Sequence, residues 1–256
     1  MTLALHAWGD DDAPRVVCLH GVTMYGGHFR VLAEDWLAES HRVLAPDLLG
    51  HGSSAYEPPW SIDAHIEAIL ATVGREPAHW IGHSFGARLA YEIAAREPRL
   101  VDRLVLLDPA IVLAPHVALF AAENARRERT YVSFEEAIDR RYEESSLHGA
   151  PRRLLEADLR HHLVPDEALW RYRYCQSAVV TAYAEMATAP PPFAAVRLPT
   201  LLLLGAKSYL PYDHLLEEHR AAAGELLTVA TVDGGHSVLW DALEETAGRI
   251  VDFLSA

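Results

Sequence analysis

The stretch best suited to do chemistry is Gly82-His83-Ser84-Phe85-Gly86, a serine held in the pattern G-x-S-x-G. An apolar run, His79-Trp80-Ile81, precedes it, and a helix-patterned stretch starts at Ala87. A strand that turns sharply into a helix leaves room only for small flanking residues. The same turn lifts the serine oxygen above the sheet at a helix N-terminus. A hydroxyl attacks poorly until a base takes its proton, and histidine titrates near the working pH. Most of the fifteen histidines are expected at the surface. His236 differs because its loop, Asp233-Gly234-Gly235-His236-Ser237, leaves the last predicted strand and reaches the sheet edge that carries Ser84. Ser84 is therefore expected as nucleophile and His236 as general base. His20-Gly21-Val22-Thr23 follows the first strong apolar run and can set the Val22 N–H opposite that of Phe85. Two such donors would hold the oxyanion of a tetrahedral intermediate, and losing one typically costs about 10²–10³ in rate.

These residues need a scaffold that brings distant loops to one edge. Arg15–Leu19, Arg42–Ala45, His79–Ile81, Arg103–Leu107, Thr200–Leu204 and Leu226–Val232 are short apolar runs that predict buried strands. Between them, Ile62–Val73 and Ala87–Ala95 carry apolar residues at helical spacing, and a last helix is expected over about Leu239–Leu254. This alternation predicts an α/β fold with a mostly parallel twisted sheet flanked by helices. The rhythm breaks after Asp108-Pro109: from Ala114 to about Thr188 the pattern is amphipathic and helical, interrupted at Gly149, Pro151 and Pro165. Pro190-Pro191-Pro192 closes that segment as a stiff connector. Residues 114–192 are expected as a helical cap (lid) inserted after the strand ending at Asp108, and 1–113 with 193–256 as the core domain. An insertion of that size is too long for a loop.

Composition narrows the function. The 256 residues are 50% hydrophobic, with a net charge of −14 and a mean hydropathy of +0.02. The acidic balance argues against nucleic acid or an anionic membrane as partner. No apolar stretch approaches the length of a membrane helix, and the start, Met1 to His6, lacks the pattern of a signal peptide. Cys18 and Cys175 are too few for a disulfide framework, so a reducing cytoplasm is expected, with Cys18 as a buried small hydrophobe. There is no H-E-x-x-H, no cysteine cluster, no phosphate-binding G-x-x-x-x-G-K-[ST] and no dinucleotide fingerprint; no metal and no cofactor is expected. The 114–192 segment carries ten basic and twelve acidic residues against twelve and twenty-four in the remainder. A near-neutral cap over an acidic body points to an uncharged small-molecule ester as substrate. Trp170 and Tyr174, four apart, would share a helix face with Ser177 and Thr181 nearby and line a pocket, or else pack the cap onto the body.

Taken together, the His20-Gly21 loop, Asp47-Leu-Leu-Gly-His-Gly-Ser53, the Ser84 turn, the inserted segment and Gly-Gly-His236 resemble the α/β-hydrolase superfamily, especially its small capped bacterial esterase and carbon–carbon hydrolase branch. The resemblance implies two-step acyl transfer by a Ser–His–acid triad. It also implies that the Asp47–Ser53 loop shapes the top of the sheet, with His51 and Ser53 as turn residues. The acid departs from the family pattern: the loop after the next-to-last strand, Gly205 to Asp213, holds Ser208 where an aspartate is usual. Asp108, at the end of the strand after the nucleophile, is used by a minority of relatives and is the expected acid, with Asp213 as alternative. A serine rather than an aspartate at residue 84 argues against haloalkane and epoxide chemistry. Carbon–carbon, lactone and thioester hydrolysis by the same triad stay open, as does a ligand-binding homologue that has lost turnover.

Overall fold

The computed structural model describes residues 2–144 and 147–256. Ten strands are present among them: β1 (Leu5–Trp8), β2 (Arg15–Leu19), β3 (Arg42–Pro46), β4 (Ala78–His83), β5 (Val101–Leu107), β6 (Thr130–Tyr131), β7 (Leu163–Asp166), β8 (Leu169–Tyr172), β9 (Thr200–Gly205) and β10 (Leu227–Val232). Seven form one sheet in the order β1-β3-β2-β4-β5-β9-β10. Only β1 runs antiparallel to its neighbour.

Each of the six expected apolar runs is a strand of this sheet. The runs are continuous because both faces of the sheet are covered. On β2, Val17 and Leu19 belong to one apolar cluster while Val16 and Cys18 belong to the other. Leu104 and Leu106 of β5 divide from Val105 and Leu107 in the same way. β1 was not anticipated: its residues alternate between exposed and half-buried at a sheet edge, too short and too polar to stand out.

The helices are α1 (Arg30–Leu32), α2 (Ile62–Val73), α3 (Phe85–Arg96), α4 (Pro115–Ala125), α5 (Phe134–Glu144), α6 (Arg152–His162), α7 (Gln176–Met186), α8 (Asp213–Ala223), α9 (Val238–Asp241) and α10 (Leu243–Ser255). α2 spans the expected residues and starts where the Ser61 hydroxyl accepts the Ala64 N–H at 3.2 Å, an N-cap that satisfies one otherwise unpaired donor. The single C-terminal helix expected over Leu239–Leu254 is instead two, broken at Ala242. No described helix is long and apolar enough to cross a membrane.

The segment between β5 and β9 holds α4 to α7, as its helical pattern predicts, but also a three-stranded sheet in the order β6-β8-β7. That corrects the expectation of helices alone. α6 stops at His162, and Leu163–Asp166 pairs antiparallel with Leu169–Tyr172 around a turn in which Glu167 takes φ 52°. Pro165, which cannot donate within a helix, ends the helical run here and favours the hairpin.

Arg88 of α3, fully buried, fastens both ends of the segment. Its guanidinium donates to the Ile111 carbonyl, to the carbonyls of Thr188 (3.2 Å) and Ala189 (3.3 Å), and pairs with Glu92 at 2.9 Å.

Candidate active site

Parallel strands end on one edge of the sheet, and there the loops after β2, β4, β5, β9 and β10 meet. Ser84 sits between β4 and α3 at φ 53°, ψ −115°, a conformation that costs a non-glycine residue about 1–3 kcal/mol. It is held there by its neighbours. Its N–H donates to the Leu107 carbonyl (3.1 Å), while its own carbonyl accepts from Ala87, Arg88 and Ala110. The flanking glycines are required sterically: a Cβ on Gly86 would overlap the Leu19 carbonyl oxygen, and one on Gly82 would meet the Ala87 backbone. Of the four described non-glycine residues with positive φ, three (Thr23, Ser84 and Asp108) lie at this edge.

His236 lies in the loop after β10 and is 8% exposed. Its Nδ1 is 2.6 Å from Asp108 Oδ2, which leaves Nε2 for proton transfer. Asp108 also accepts the Gly205 N–H at 2.9 Å and the Ser208 hydroxyl at 2.5 Å. The serine in the usual acid position thus donates to a carboxylate supplied from β5. Asp213 is exposed in the first turn of α8, not at its cap and not at His236. No direct hydrogen bond joins Ser84 Oγ to His236 in this structure, but both line one cavity of about 430 Å³.

Val22 also borders that cavity, and Phe85 opens α3 beside Ser84. Neither backbone N–H has an acceptor among the described residues. His20 sets the Val22 loop. Its Nε2 accepts the Leu48 N–H at 2.9 Å, so Nδ1 carries the proton and donates to the Gly21 carbonyl at 2.8 Å. Burial holds His20 well below its ordinary pKa, with His51 acting in the same direction; a neutral ring is what this pairing requires. Burial, and then His236, brings His83 to about 3, and its Nε2 donates to the His236 carbonyl at 2.9 Å. Asp47 is structural: burial raises its carboxyl, but hydrogen bonds from His6, Ser53 and Gly26 outweigh this and hold it below the usual range.

Trp170 and Tyr174 do not line the cavity. Trp170 is in β8 and packs edge-on against Phe134, and Tyr174 stacks on Tyr172 just before α7. In place of one helix face, Trp170 stands in β8 and Tyr174 in the connection between β8 and α7, so their four-residue spacing has no helical meaning. The walls are Leu113, Val117, Met186 and Leu210, with Tyr183 and Tyr209. The Tyr209 ring lies 5.0 Å from that of His236. Arg129, Arg141 and Glu144 also border the cavity. Sequence reasoning missed these three, because the net charge of a segment does not say which charges face inward. Ser208 was noticed only as a missing aspartate; an oxygen-bearing residue there was the available signal.

Known proteins carry the same scaffold. An E-2-(acetamidomethylene)succinate hydrolase superposes with a TM-score of 0.86 over 99% of this chain and 95% of its own, at 21% identity, which is a likeness of fold. Lipase LipV of Mycobacterium tuberculosis is 43% identical over 118 residues, 44% of each chain. A pimeloyl-[acyl-carrier protein] methyl ester esterase of Methylococcus capsulatus is 41% identical over 104 residues, 40% of each chain. The matched region is thus less than half the length of either relative. The family described as the alpha/beta hydrolase family matches residues 16–249, which takes in every loop of the site, and the chain belongs to that family.

Proposed function

We propose that the protein hydrolyses carboxylic esters of small to medium size through an acyl-enzyme, with residues 114–192 acting as a cap over the site. His236 takes the proton of Ser84, whose oxygen attacks the substrate carbonyl; the Val22 and Phe85 N–H groups receive the oxyanion. His236 then protonates the leaving alcohol, and water, deprotonated by the same base, releases the acid. Asp108 holds the imidazole through Nδ1 and stabilises its charged form. The observation that carries this reading is the 2.6 Å His236–Asp108 contact at the edge of a cavity that also holds Ser84. The apolar wall supports an acyl chain, and the esterase and lipase relatives support the bond class.

The test is hydrolysis of p-nitrophenyl esters from acetate to laurate by wild type and Ser84→Ala. Wild-type turnover should fall by about 10⁴ or more in the variant. Residual turnover within tenfold of wild type would sink the scheme. A wild type inert at every chain length would remove the ester reading and turn attention to a carbon–carbon, lactone or thioester bond.

A further inference from the structure

Arg141 is an anomaly among the buried charges. It extends from α5 into the Ser84 cavity and is 2% exposed. Among the described residues no carboxylate lies within 4 Å of its guanidinium and no acceptor meets its Nε. It lies instead against the rings of Tyr172 (5.3 Å) and Trp240 (5.2 Å), with the buried Tyr172 hydroxyl beside it as a polar neighbour that carries no full charge. Arg88 shows how the same protein treats a buried guanidinium that serves structure: it has a carboxylate at 2.9 Å and carbonyls at its other nitrogens. A guanidinium cannot shed its charge at any ordinary pH, and leaving it buried without a counter-ion is costly.

The surroundings do not supply that counter-ion. His28 and His162 cannot neutralise a cation in either protonation state, and burial pushes both below the ordinary histidine range, His162 to about 3. Burial pushes Asp158 up to about 7 against the pull of Arg141 and Arg30, so it is only partly ionised near neutrality. Glu144 borders the cavity but is already engaged by Arg140 (2.9 Å), the Tyr131 hydroxyl (2.5 Å) and, at 3.8 Å, Arg129.

We propose that Arg141 is the floor of a carboxylate-binding subsite, so that the preferred substrate is an ester bearing a carboxylate of its own. The planar fork of a guanidinium accepts a carboxylate through two parallel hydrogen bonds, and the Tyr172 hydroxyl is free to add a third donor. The apolar walls between would take the carbon chain that separates the anion from the scissile carbonyl. This deepens the ester hydrolase reading and rests on it; it replaces the uncharged substrate suggested by the charge balance of residues 114–192.

The test compares matched pairs. Monomethyl esters of C4 to C8 dicarboxylic acids are set against methyl alkanoates of equal length, and acetyl esters of ω-hydroxy acids against acetyl esters of alkanols. Wild type should favour the charged member of at least one pair by about tenfold or more in kcat/KM, chiefly through KM. In Arg141→Gln that ratio should collapse towards one, and Arg141→Lys should retain part of it. A wild-type ratio at or below one in both panels overturns the proposal, as does a preference that survives in Arg141→Gln. Should neither variant fold, the wild-type ratio alone decides. Should wild type cleave no ester at all, the ester reading fails separately, and calorimetry with adipate and adipamide decides the subsite. Adipate bound about tenfold tighter supports it, and equal affinity overturns it.

Discussion

Asp108→Asn is the perturbation with the sharpest consequence. Asp108 Oδ2 receives both His236 Nδ1 (2.6 Å) and the Ser208 hydroxyl (2.5 Å), while Oδ1 receives the Gly205 N–H at 2.9 Å. An asparagine keeps one acceptor oxygen. If that oxygen stays on Gly205, the amide NH₂ faces His236 and Ser208, and His236 can accept it only by moving its own proton to Nε2. The imidazole is then in the tautomer that cannot deprotonate Ser84, and the negative charge that stabilises the imidazolium is gone. If the amide turns round, its NH₂ meets the Gly205 N–H instead. Either way kcat should fall by about 10³–10⁴, or roughly 4–5.5 kcal/mol. Asp213→Asn, on an exposed helix turn, should change kcat by less than about twofold, since such a site carries only a helix-dipole contribution. The assay is steady-state p-nitrophenyl ester hydrolysis, with urea unfolding to show that Asp108→Asn is folded. If folded Asp108→Asn keeps more than a tenth of wild-type kcat, or if Asp213→Asn is the variant that fails, the assignment of the acid is wrong.

Ser208→Ala removes one charge-assisted hydrogen bond from Asp108 and should lower kcat about tenfold; a loss below twofold would make Ser208 a spectator. Gly86→Ala drives a methyl into the Leu19 carbonyl, so urea unfolding should show a loss of about 2–4 kcal/mol, and unchanged stability would contradict the tight turn. The protein should also be acid-labile. Burial lowers His51 and His219 to about 4 and His65, His83 and His162 to about 3. The folded state therefore binds fewer protons than the unfolded chain between about pH 3 and 6.5. Stability is intact above 6.5 and drains as pH falls, by up to about 1.4 kcal/mol per group per pH unit. Asp158, raised to about 7 by burial, works the other way, as one group against five. The thermal midpoint should drop by more than about 10 °C from pH 7.5 to 5; a flat profile would mean that these rings are not held neutral.

The sequence by itself determined the parallel sheet, because strands buried on both faces leave continuous apolar runs such as Val16 to Leu19 and Leu201 to Leu204. It also determined the turn at Ser84, because only glycines fit where Gly82 and Gly86 press against backbone. These are local signals, legible over a few residues. The β6-β8-β7 sheet was not legible, since Trp170 and Tyr174 satisfy a helical spacing and a strand alternation alike. Only the tertiary structure decided which carboxylate meets His236. Asp108 and Asp213 lie 128 and 23 residues before it, and the choice depends on which strand end abuts the β10 loop. The same holds for the cavity: a near-neutral count over residues 114–192 says nothing of Arg141 facing inward while its neighbours pair at the surface. Side-chain direction and long-range pairing come from packing, and packing has no period in the sequence.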